Sequence, residues 1–305
     1  MNIASADLNL FVAFEAILEE CSVSRAAARV GLSQPAMSSA LGRLRSLFGD
    51  ELFVRSGRGV QPTPRALELA AHVRGGLQQL RHALDGEAAF DPSTSGRTFR
   101  LAMTDYAEWL LIAPIMRRLD RKAAGIQLQV RRLDRLFQTP DAELRAGAID
   151  LAIGFFGDAR TMQEGTLAET LLEEENVVIS RRGRKGAMTL EAFTAARHAA
   201  IVYRPEPWGL IDQELAARGH RRKLRLAVPH FQTVLAAVAV SDLIACVPRR
   251  LARHFGSELG LRTAPVPFPM PPFHTIMVWH RHAAGDPALR WLQSELRLAA
   301  NANVS

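Results

Sequence analysis

The feature that most constrains this chain is a pair of short helical patterns joined by a glycine near its start. Ser24 is a helix-capping residue type, and the alanine-rich stretch after it ends at Gly31. Glycine suits the left-handed position just past a helix end. Ser33 is a second capping residue, and Pro35 suits a first turn, where backbone N–H groups have no helical partner. The spacing predicts a helix-turn-helix whose second helix covers residues 34–48.

The flanking residues extend this pair into a small domain. Asp7 can cap a preceding helix whose apolar residues recur with a period near 3.6. Residues 51–55 alternate like a short strand, residues 56–59 have turn composition, and residues 60–61 can return as the partner strand. A hairpin in this position is the wing of a winged helix-turn-helix, which places its arginines along phosphates or in a minor groove.

The charge of this segment favours nucleic acid as a partner. Between residues 22 and 65, seven arginines stand against only Asp50 and Glu51, in a chain of formal charge +7. A compact basic segment is typical of phosphate contact. In a helix-turn-helix the start of the second helix enters the major groove, where Gln and Ser side chains contact base edges. For the two helices alone, a helical hairpin with a solvated polar face remains the alternative.

Five short runs in this region resemble the LysR-type regulators: VSRAA from Val23, LSQPAMS from Leu32, Leu44-Arg45, LFVR from Leu52 and PTP from Pro62. The resemblance covers about residues 7–64 and implies a winged helix-turn-helix. It implies that Gln34, Pro35, Ser38 and Ser39 of the second helix face the bases, that Arg43 and Arg45 of the same helix lie near the DNA backbone, and that Arg55 lies on the wing. The predicted DNA-binding residues are Ser24, Arg25, Ser33, Gln34, Pro35, Ser38, Ser39, Arg43, Arg45, Arg55 and Arg58.

A long helix is predicted after the wing. Thr63 can cap it, and the pattern continues to about Asp85 with Gly75-Gly76 as its weak point, where a bend is expected. A seam of apolar residues runs along it at alternating spacings of three and four: Ala70, Val73, Leu77, Leu80 and Leu84. Such a seam packs on another helix. Antiparallel dimerisation is the preferred interpretation, which the resemblance also implies, and packing on the chain's own body is the alternative.

The rest of the chain alternates between strand and helix patterns, which predicts an α/β domain. A helix is expected over 134–146, and crossovers near 163–168 and 267–274 would give two lobes, as in a periplasmic binding protein. The predicted boundaries are 1–63 for the winged domain, 64–95 for the linker helix and hinge, and 96–305 for the effector domain. Lobe I then comprises 96–165 and 270–305, and lobe II comprises 166–269.

Ligands of such sheets collect at the carboxyl ends of strands and in clefts. The predicted effector-binding residues are Thr104, Asp105, Tyr106, Gly154, Phe155, Tyr203, His230, Phe231, Arg249 and Phe273. Asp105 is also expected to cap the following helix. Residues 98–108, 148–154 and 228–231 resemble the LysR-type subgroup of nodulation and aromatic-degradation regulators. That resemblance implies an aromatic effector, flavonoid or salicylate-like.

Other classes of protein fit less well. There is no GxSxG, phosphate loop, HExxH or CxxC pattern, so no enzyme, cofactor or metal site is expected. Cys21 and Cys246 are predicted to be reduced thiols, and His280-Arg281-His282 is read as a surface run. Without a signal peptide or a membrane-spanning run, a cytoplasmic location is expected.

The preferred interpretation is a transcription factor responding to a small-molecule effector. Its expected partners are double-stranded DNA with a pseudo-palindromic promoter site, a second or further copies in a homodimer or homotetramer, and RNA polymerase. A solute-binding protein or enzyme of the same α/β fold would not account for the winged segment. An architectural DNA-binding protein would not need the two-lobed domain.

Overall fold

The computed structural model describes residues 7–57, 59–85, 90–133, 137–157, 162–202 and 209–302, with the side chains of 71, 78, 79 and 81–85 outside that description. The chain divides into two compact units. One comprises residues 1–90, 141–150 and 285–287, and the other comprises the remainder. Within the described ranges, no helix combines the length and the apolar character that crossing a bilayer requires.

The N-terminal part of the first unit is three helices, a hairpin and a long helix. Its elements are α1 (Leu8–Glu20), α2 (Val23–Arg29), α3 (Gln34–Phe48), β1 (Phe53–Ser56), β2 (Gly59–Pro62) and α4 (Pro64–Asp85). The two strands pair antiparallel, as a wing does. Asp7 caps α1 by accepting the Asn9 N–H at 3.0 Å, and Ser33 caps α3 through the Ala36 N–H at 3.3 Å. Both caps were predicted.

The start of α2 corrects the prediction. Its cap is Ser22, whose hydroxyl accepts the Arg25 N–H at 3.4 Å, and Ser24 already lies inside the helix. Both serines are capping residue types, and the backbone conformation selects between them. Ser22 is extended, with φ near −157°, which is the geometry that a cap requires.

In the first half of α4, the apolar seam packs into the core of the chain itself. Ala70, Val73 and Leu77 are buried in one cluster with residues of α1, α2, α3 and the wing. The alternative of packing on the chain's own body therefore holds for these three residues, because α1 occupies that face. Leu80 continues the seam and is 41% exposed.

The glycine pair leaves α4 unbroken, since the helix continues from Pro64 to Asp85. Gly75 lies against the main chain of residues 141–150. A Cβ built on it would lie 2.7 Å from the Ala146 carbonyl oxygen. A Cβ on Gly76 would meet nothing within 4 Å. Gly75 therefore permits a close approach between backbones.

Two five-stranded mixed sheets form the second unit. The remaining strands are β3 (Thr98–Met103), β4 (Gln127–Arg132), β5 (Leu151–Gly154), β6 (Thr166–Glu174), β7 (Asn176–Arg181), β8 (Arg197–Ile201), β9 (Lys223–Val228), β10 (Ile244–Pro248), β11 (Leu261–Pro265) and β12 (Phe273–His280). The remaining α-helices are α5 (Asp105–Lys122), α6 (Asp141–Arg145), α7 (Leu190–Ala195), α8 (Leu210–Ala216), α9 (Phe231–Ala239), α10 (Arg249–Gly256) and α11 (Pro287–Asn301).

The first sheet has the order β4-β3-β5-β12-β6, and the second has the order β11-β7-β10-β8-β9. Strands β4, β3 and β5 run parallel, while β12 runs antiparallel to both β5 and β6. In the second sheet, β10, β8 and β9 run parallel and β7 pairs antiparallel with β10 and β11. Each sheet is the centre of one lobe.

The chain passes between the sheets later than predicted. β6 pairs along its length with β12, so residues 166–174 belong to the first sheet. The crossover falls at Glu175, between β6 and β7, and the predicted lobe boundary at 166 is wrong. The mixed polar sequence of β6 carries little strand pattern, and only its pairing with a distant strand assigns it to a lobe.

The predicted helix over 134–146 is also much shorter in the structure. The helix there is α6, Asp141–Arg145, and residues 137–140 are irregular. Residues 134–136 lie outside the described part of the chain. Pro140 explains the late start, because the residue before a proline is disfavoured in helical conformation.

Candidate nucleic-acid interface and ligand cavity

Helix α3, the recognition helix of the helix-turn-helix, has one buried face and one exposed face. Met37, Leu41 and Leu44 of α3 are buried. Apart from the partly buried Arg45, the predicted base-facing and phosphate-facing residues of this helix are exposed: Gln34, Pro35, Ser38, Ser39 and Arg43. They begin at the N-terminal end of the helix, next to the exposed cap Ser33. This is the end that enters a major groove in helix-turn-helix proteins.

Other predicted DNA-binding residues surround this face. Ser24 and Arg25 of α2 and Arg55 on the wing are exposed, and Arg58 lies outside the described residues. Arg25 forms an exposed ion pair with Glu20 at 3.4 Å, and the Arg43 guanidinium lies 3.0 Å from the Asp7 carboxylate. Such exposed pairs contribute at most about 1 kcal/mol, so phosphate groups can compete for these arginines.

Arg45 makes contacts within the protein that the sequence does not predict. Its Nε donates to the Glu51 carbonyl oxygen and its Nη2 to the Phe53 carbonyl oxygen, each at 2.8 Å. Nη2 also lies 3.1 Å from the Glu51 carboxylate. The guanidinium therefore ties the end of α3 to the first wing strand. No sequence pattern predicts this tie, because its acceptors are main-chain carbonyls.

A second tie links the wing to α4 and involves residues that the sequence analysis did not single out as functional. One carboxylate oxygen of Asp50 accepts the Leu52 N–H and the Thr63 hydroxyl, each at 2.7 Å. These hydrogen bonds lower the pKa of Asp50, with Thr63 the larger cause. Thr63 in turn caps α4 through the Ala66 N–H at 3.1 Å. The wing and the linker helix thus begin at one shared hydrogen-bonded junction.

The junction also holds a strained backbone. Leu52 is fully buried and has φ of 57°, in the left-handed region that branched apolar residues rarely adopt. Its N–H is held by Asp50, and its carbonyl oxygen accepts the Thr63 N–H at 2.9 Å. These contacts fix the direction in which the chain enters the wing.

In the second unit, a cavity of about 160 Å³ lies between the two lobes. Among the described residues, five aromatic rings line it: Tyr106, Phe137, Phe155, Phe231 and Phe273. Their centroids form a chain of edge-to-face contacts, at 4.9 Å from Phe137 to Phe155 and 5.8 Å from Phe155 to Phe273. Tyr106 continues the chain at 6.2 Å from Phe273 and 6.3 Å from Phe231. Such edges and faces suit a flat aromatic ligand.

Few of the described residues that line the cavity are polar. Thr104, Asn176, Arg222, Cys246 and Thr275 line it. Thr104 also caps α5, through the Ala107 N–H at 3.4 Å, in place of the predicted cap Asp105. Burial raises the pKa of the Cys246 thiol to about 12, so this thiol stays protonated.

Arg222 brings hydrogen-bond donors to the cavity wall, and its charge is balanced by Asp212. Its Nε and Nη2 each donate to one carboxylate oxygen of Asp212 at 2.7 Å, in a bidentate pair that is almost fully enclosed. The guanidinium is thus oriented at the cavity wall while its charge is balanced. A run of basic residues such as 221–223 is usually solvated surface, and Arg221 and Lys223 are exposed, whereas the Arg222 side chain is enclosed.

Tyr106 connects the cavity to the crossover between the lobes. Its hydroxyl donates to the buried Glu174 carboxylate at 2.5 Å, and the same carboxylate oxygen accepts Arg250 Nη1 at 2.7 Å. Burial, together with the Glu174 hydrogen bond, raises the pKa of Tyr106. The tyrosine therefore remains a neutral donor. Glu174 is the last residue of β6, one residue before the crossover.

Several predicted effector residues lie beside the cavity without lining it. Asp105 reaches across to the second lobe, where its carboxylate accepts the Phe231 N–H at 2.6 Å and lies 3.2 Å from His230 Nδ1. Arg249 is exposed and pairs with Glu175 at 2.5 Å. Gly154 leaves space for the Thr104 side chain, since a Cβ at position 154 would lie 2.7 Å from Thr104 Cγ2.

Tyr203 lies outside the described residues. The lining residues that the sequence analysis missed include Phe137, Asn176, Ala200, Pro248 and Thr275. Pro248 ends β10 and Ala200 is the last residue but one of β8, so these two follow the rule that ligands collect at the carboxyl ends of strands, whereas Asn176 and Thr275 lie at or near the starts of β7 and β12. In the described ranges, no group of three or more His, Cys, Asp or Glu side chains is arranged to hold a metal ion.

A winged helix-turn-helix on the same chain as a two-lobed domain with an aromatic-lined cavity defines a ligand-responsive DNA-binding transcription regulator. Residues 8–67 match the family described as bacterial regulatory helix-turn-helix protein, lysR family, and residues 93–300 match the LysR substrate binding domain. The chain belongs to the LysR family.

Relatives of known name are similar over nearly the whole chain. The HTH-type transcriptional activator NagR of Ralstonia sp. is 37% identical over 96% of this chain and 97% of its own length. Nodulation protein D 1 of Rhizobium tropici is 33% identical over 97% of this chain and 96% of its own. The crystal structure of the probable transcriptional regulator PA0477 from Pseudomonas aeruginosa has a TM-score of 0.76 at 36% identity, covering 96% of this chain and 97% of that one.

Proposed function

We propose that this regulator responds to a small aromatic compound with a single ring, bound in the cavity between the lobes, and acts without catalysing a reaction. The single observation that carries the proposal is a cavity of about 160 Å³ lined by five aromatic rings. An apolar cavity of about 150 Å³ accommodates benzene, whereas a three-ring flavonoid is much larger. Thr104, Arg222 and Asn176 supply the few hydrogen bonds that orient such a ligand.

The ligand test is a thermal-stability titration of the full chain with salicylate, benzoate and a flavonoid. We expect the single-ring acids to stabilise the protein by about 2.7 kcal/mol at a hundred times their Kd, and the flavonoid to have no effect. Ala200→Leu fills the cavity and should abolish the stabilisation. Ala227→Leu is the matched control, because Ala227 is the register partner of Ala200 on the neighbouring strand and does not line the cavity. Equal binding by both variants would contradict the site.

The exposed face of α3 is proposed to read a pseudo-palindromic promoter site. Gln34, at the first turn of the recognition helix, can pair with an adenine edge. Gln34→Ala should cost about 1–3 kcal/mol at the preferred sequence and leave binding to random DNA unchanged. Gel shifts on both DNAs check this, and an equal loss on random DNA would argue against base readout.

We propose that the acting form is a homodimer, or a tetramer built from it, joined through the second half of α4. Leu80 supports this, because it continues the apolar seam beyond the residues that α1 covers and is 41% exposed. Effector binding would change how far the two lobes close. That change would alter the spacing of the two DNA-binding heads on their half-sites, and with it the access of the heads to RNA polymerase.

A further inference from the structure

The N-terminus of α9 is held by a residue of the other lobe. The first N–H groups of an α-helix have no partner inside the helix, and the side chain of the cap residue usually supplies one. Within the described residues, the cap residue His230 makes no such capping bond. The Phe231 N–H instead donates to Asp105 Oδ2 at 2.6 Å, and His230 Nδ1 lies 3.2 Å from Asp105 Oδ1. A carboxylate of the first lobe therefore caps a helix of the second lobe.

Charge and burial both strengthen this contact, which we call the interlobe clasp. The Asp105 side chain is only 17% exposed, and its negative charge lies at the N-terminus of a nine-residue helix, where the helix dipole favours an anion. A hydrogen bond from an N–H group to a carboxylate is also stronger than one between two neutral groups. The clasp is thus a directed interaction between the lobes and not a chance surface contact.

The clasp joins the two walls of the aromatic cavity without being part of either wall. Asp105 stands between Thr104 and Tyr106, which both line the cavity, but it does not line the cavity itself. On the other side of the clasp, Phe231 lines the cavity from the second lobe. Its ring meets the Tyr106 ring edge to face, with centroids 6.3 Å apart. The clasp therefore fixes the distance between a ring of one lobe and a ring of the other.

We propose that Asp105 is a positioning residue for the effector, which it holds in place through the lobes and not by contact. When the lobes separate, Asp105 and the α9 N-terminus part, and water must satisfy both. The clasp thus stabilises the closed form alone, which is the differential interaction that a shift between two conformations requires. This inference rests on the proposed function, because it assumes that the effector binds between the lobes.

Loss of the clasp should weaken effector binding without changing the cavity. Fewer molecules would then hold the rings of Tyr106 and Phe231 at the distance that the ligand needs, and the apparent affinity falls with the fraction of competent molecules. The linkage is reciprocal, so the bound effector should in turn stabilise the clasp.

The test measures hydrogen exchange of the Phe231 amide and the affinity for salicylate, both on the full chain. Asp105→Ala should speed exchange of this amide at least fivefold without ligand and weaken salicylate binding about tenfold, as expected for a lost helix cap. Asp105→Asn keeps an acceptor oxygen without the charge, so both of its values should fall between those of the wild type and the alanine variant. Asp120→Ala is the matched control, an exposed carboxylate near the end of the same helix, and should change neither value.

The two readouts separate the clasp from the proposed function. If Asp105→Ala leaves exchange of the Phe231 amide unchanged, there is no clasp in solution and the inference is overturned. Faster exchange with an unchanged salicylate affinity would show a clasp that does not position the effector, and would overturn it equally. If salicylate fails to bind the wild type, the proposed function fails, while the exchange measurement still decides whether Asp105 holds α9.

Discussion

Replacing Arg45 by alanine tests the distinction between arginines that build the DNA-binding head and arginines that contact DNA. In the structure, Arg45 donates two hydrogen bonds of 2.8 Å to the carbonyl oxygens of Glu51 and Phe53. Hydrogen bonds from a charged donor contribute about 1.5–3 kcal/mol each. At the lower end the two bonds sum to about 3 kcal/mol, and because the side chain is 37% exposed, water replaces part of this interaction in the variant. Arg45→Ala should therefore lower the free energy of unfolding by about 2 kcal/mol.

Arg43 is the matched control on the same helix. Its described ion pair, with Asp7, joins two side chains that are 58% and 31% exposed. Such a pair contributes about 0–1 kcal/mol, so Arg43→Ala should leave stability almost unchanged. If Arg43 contacts a phosphate, its removal should weaken binding to every DNA sequence and reduce the slope of log affinity against log salt by about 1.

Urea unfolding and salt-dependent fluorescence anisotropy measure the two effects. We expect Arg45→Ala to lose stability with its salt slope retained, because its guanidinium is already engaged within the protein. We expect the opposite pattern from Arg43→Ala. The reasoning fails if Arg45→Ala keeps full stability and loses one unit of salt slope, since Arg45 would then be a phosphate contact.

Three further predictions follow from burial and packing. Burial lowers the pKa of His198 from 6.5 to about 4, so between these values the unfolded chain binds a proton that the folded chain does not. The free energy of unfolding should fall by about 3 kcal/mol as the pH drops from 6.5 to 4, and His198→Phe should flatten this dependence in chemical denaturation. Gly76→Ala should stabilise α4 by about 1 kcal/mol. Gly75→Ala should destabilise it, because the new Cβ at position 75 would lie 2.7 Å from a main-chain oxygen. The two variants should therefore shift Tm in opposite directions. Leu80→Glu should leave the fold intact and dissociate the dimer, as measured by sedimentation. Leu77→Glu should instead unfold the first unit, because Leu77 is buried. A stable dimer in the Leu80 variant would contradict the role of the seam.

Local signals made much of the first unit predictable from sequence. The caps Asp7, Ser33 and Thr63 each act on a backbone N–H two or three residues away, so the chain carries both partners of each interaction within a few positions. The alternation of the wing strands and the glycine turn are local in the same sense. The choice of Ser22 over Ser24 was not predictable, because either residue type can cap and the backbone decides.

What the sequence could not supply depends on partners far along the chain. β6 belongs to the first lobe only because β12, about a hundred residues later, pairs with it. Arg222 is an enclosed residue of the cavity wall because Asp212 compensates its charge. The α4 seam shows the same limit. Apolar residues spaced alternately by three and four positions predict that another helix packs on α4, but they do not say whether that helix is α1 or belongs to a second chain.

The aromatic cavity and the crossover between the lobes share one side chain. The ring of Tyr106 lines the cavity, while its hydroxyl holds the Glu174 carboxylate one residue before the chain passes into the second lobe. Arg250, from the second lobe, meets the same carboxylate oxygen. A ligand can bias the closure of two lobes only by contacting the open and closed forms differently. In the proposed mechanism, an effector that packs on the Tyr106 ring satisfies this condition, because any shift of that ring changes a buried, charge-assisted hydrogen bond at the point about which the lobes must turn.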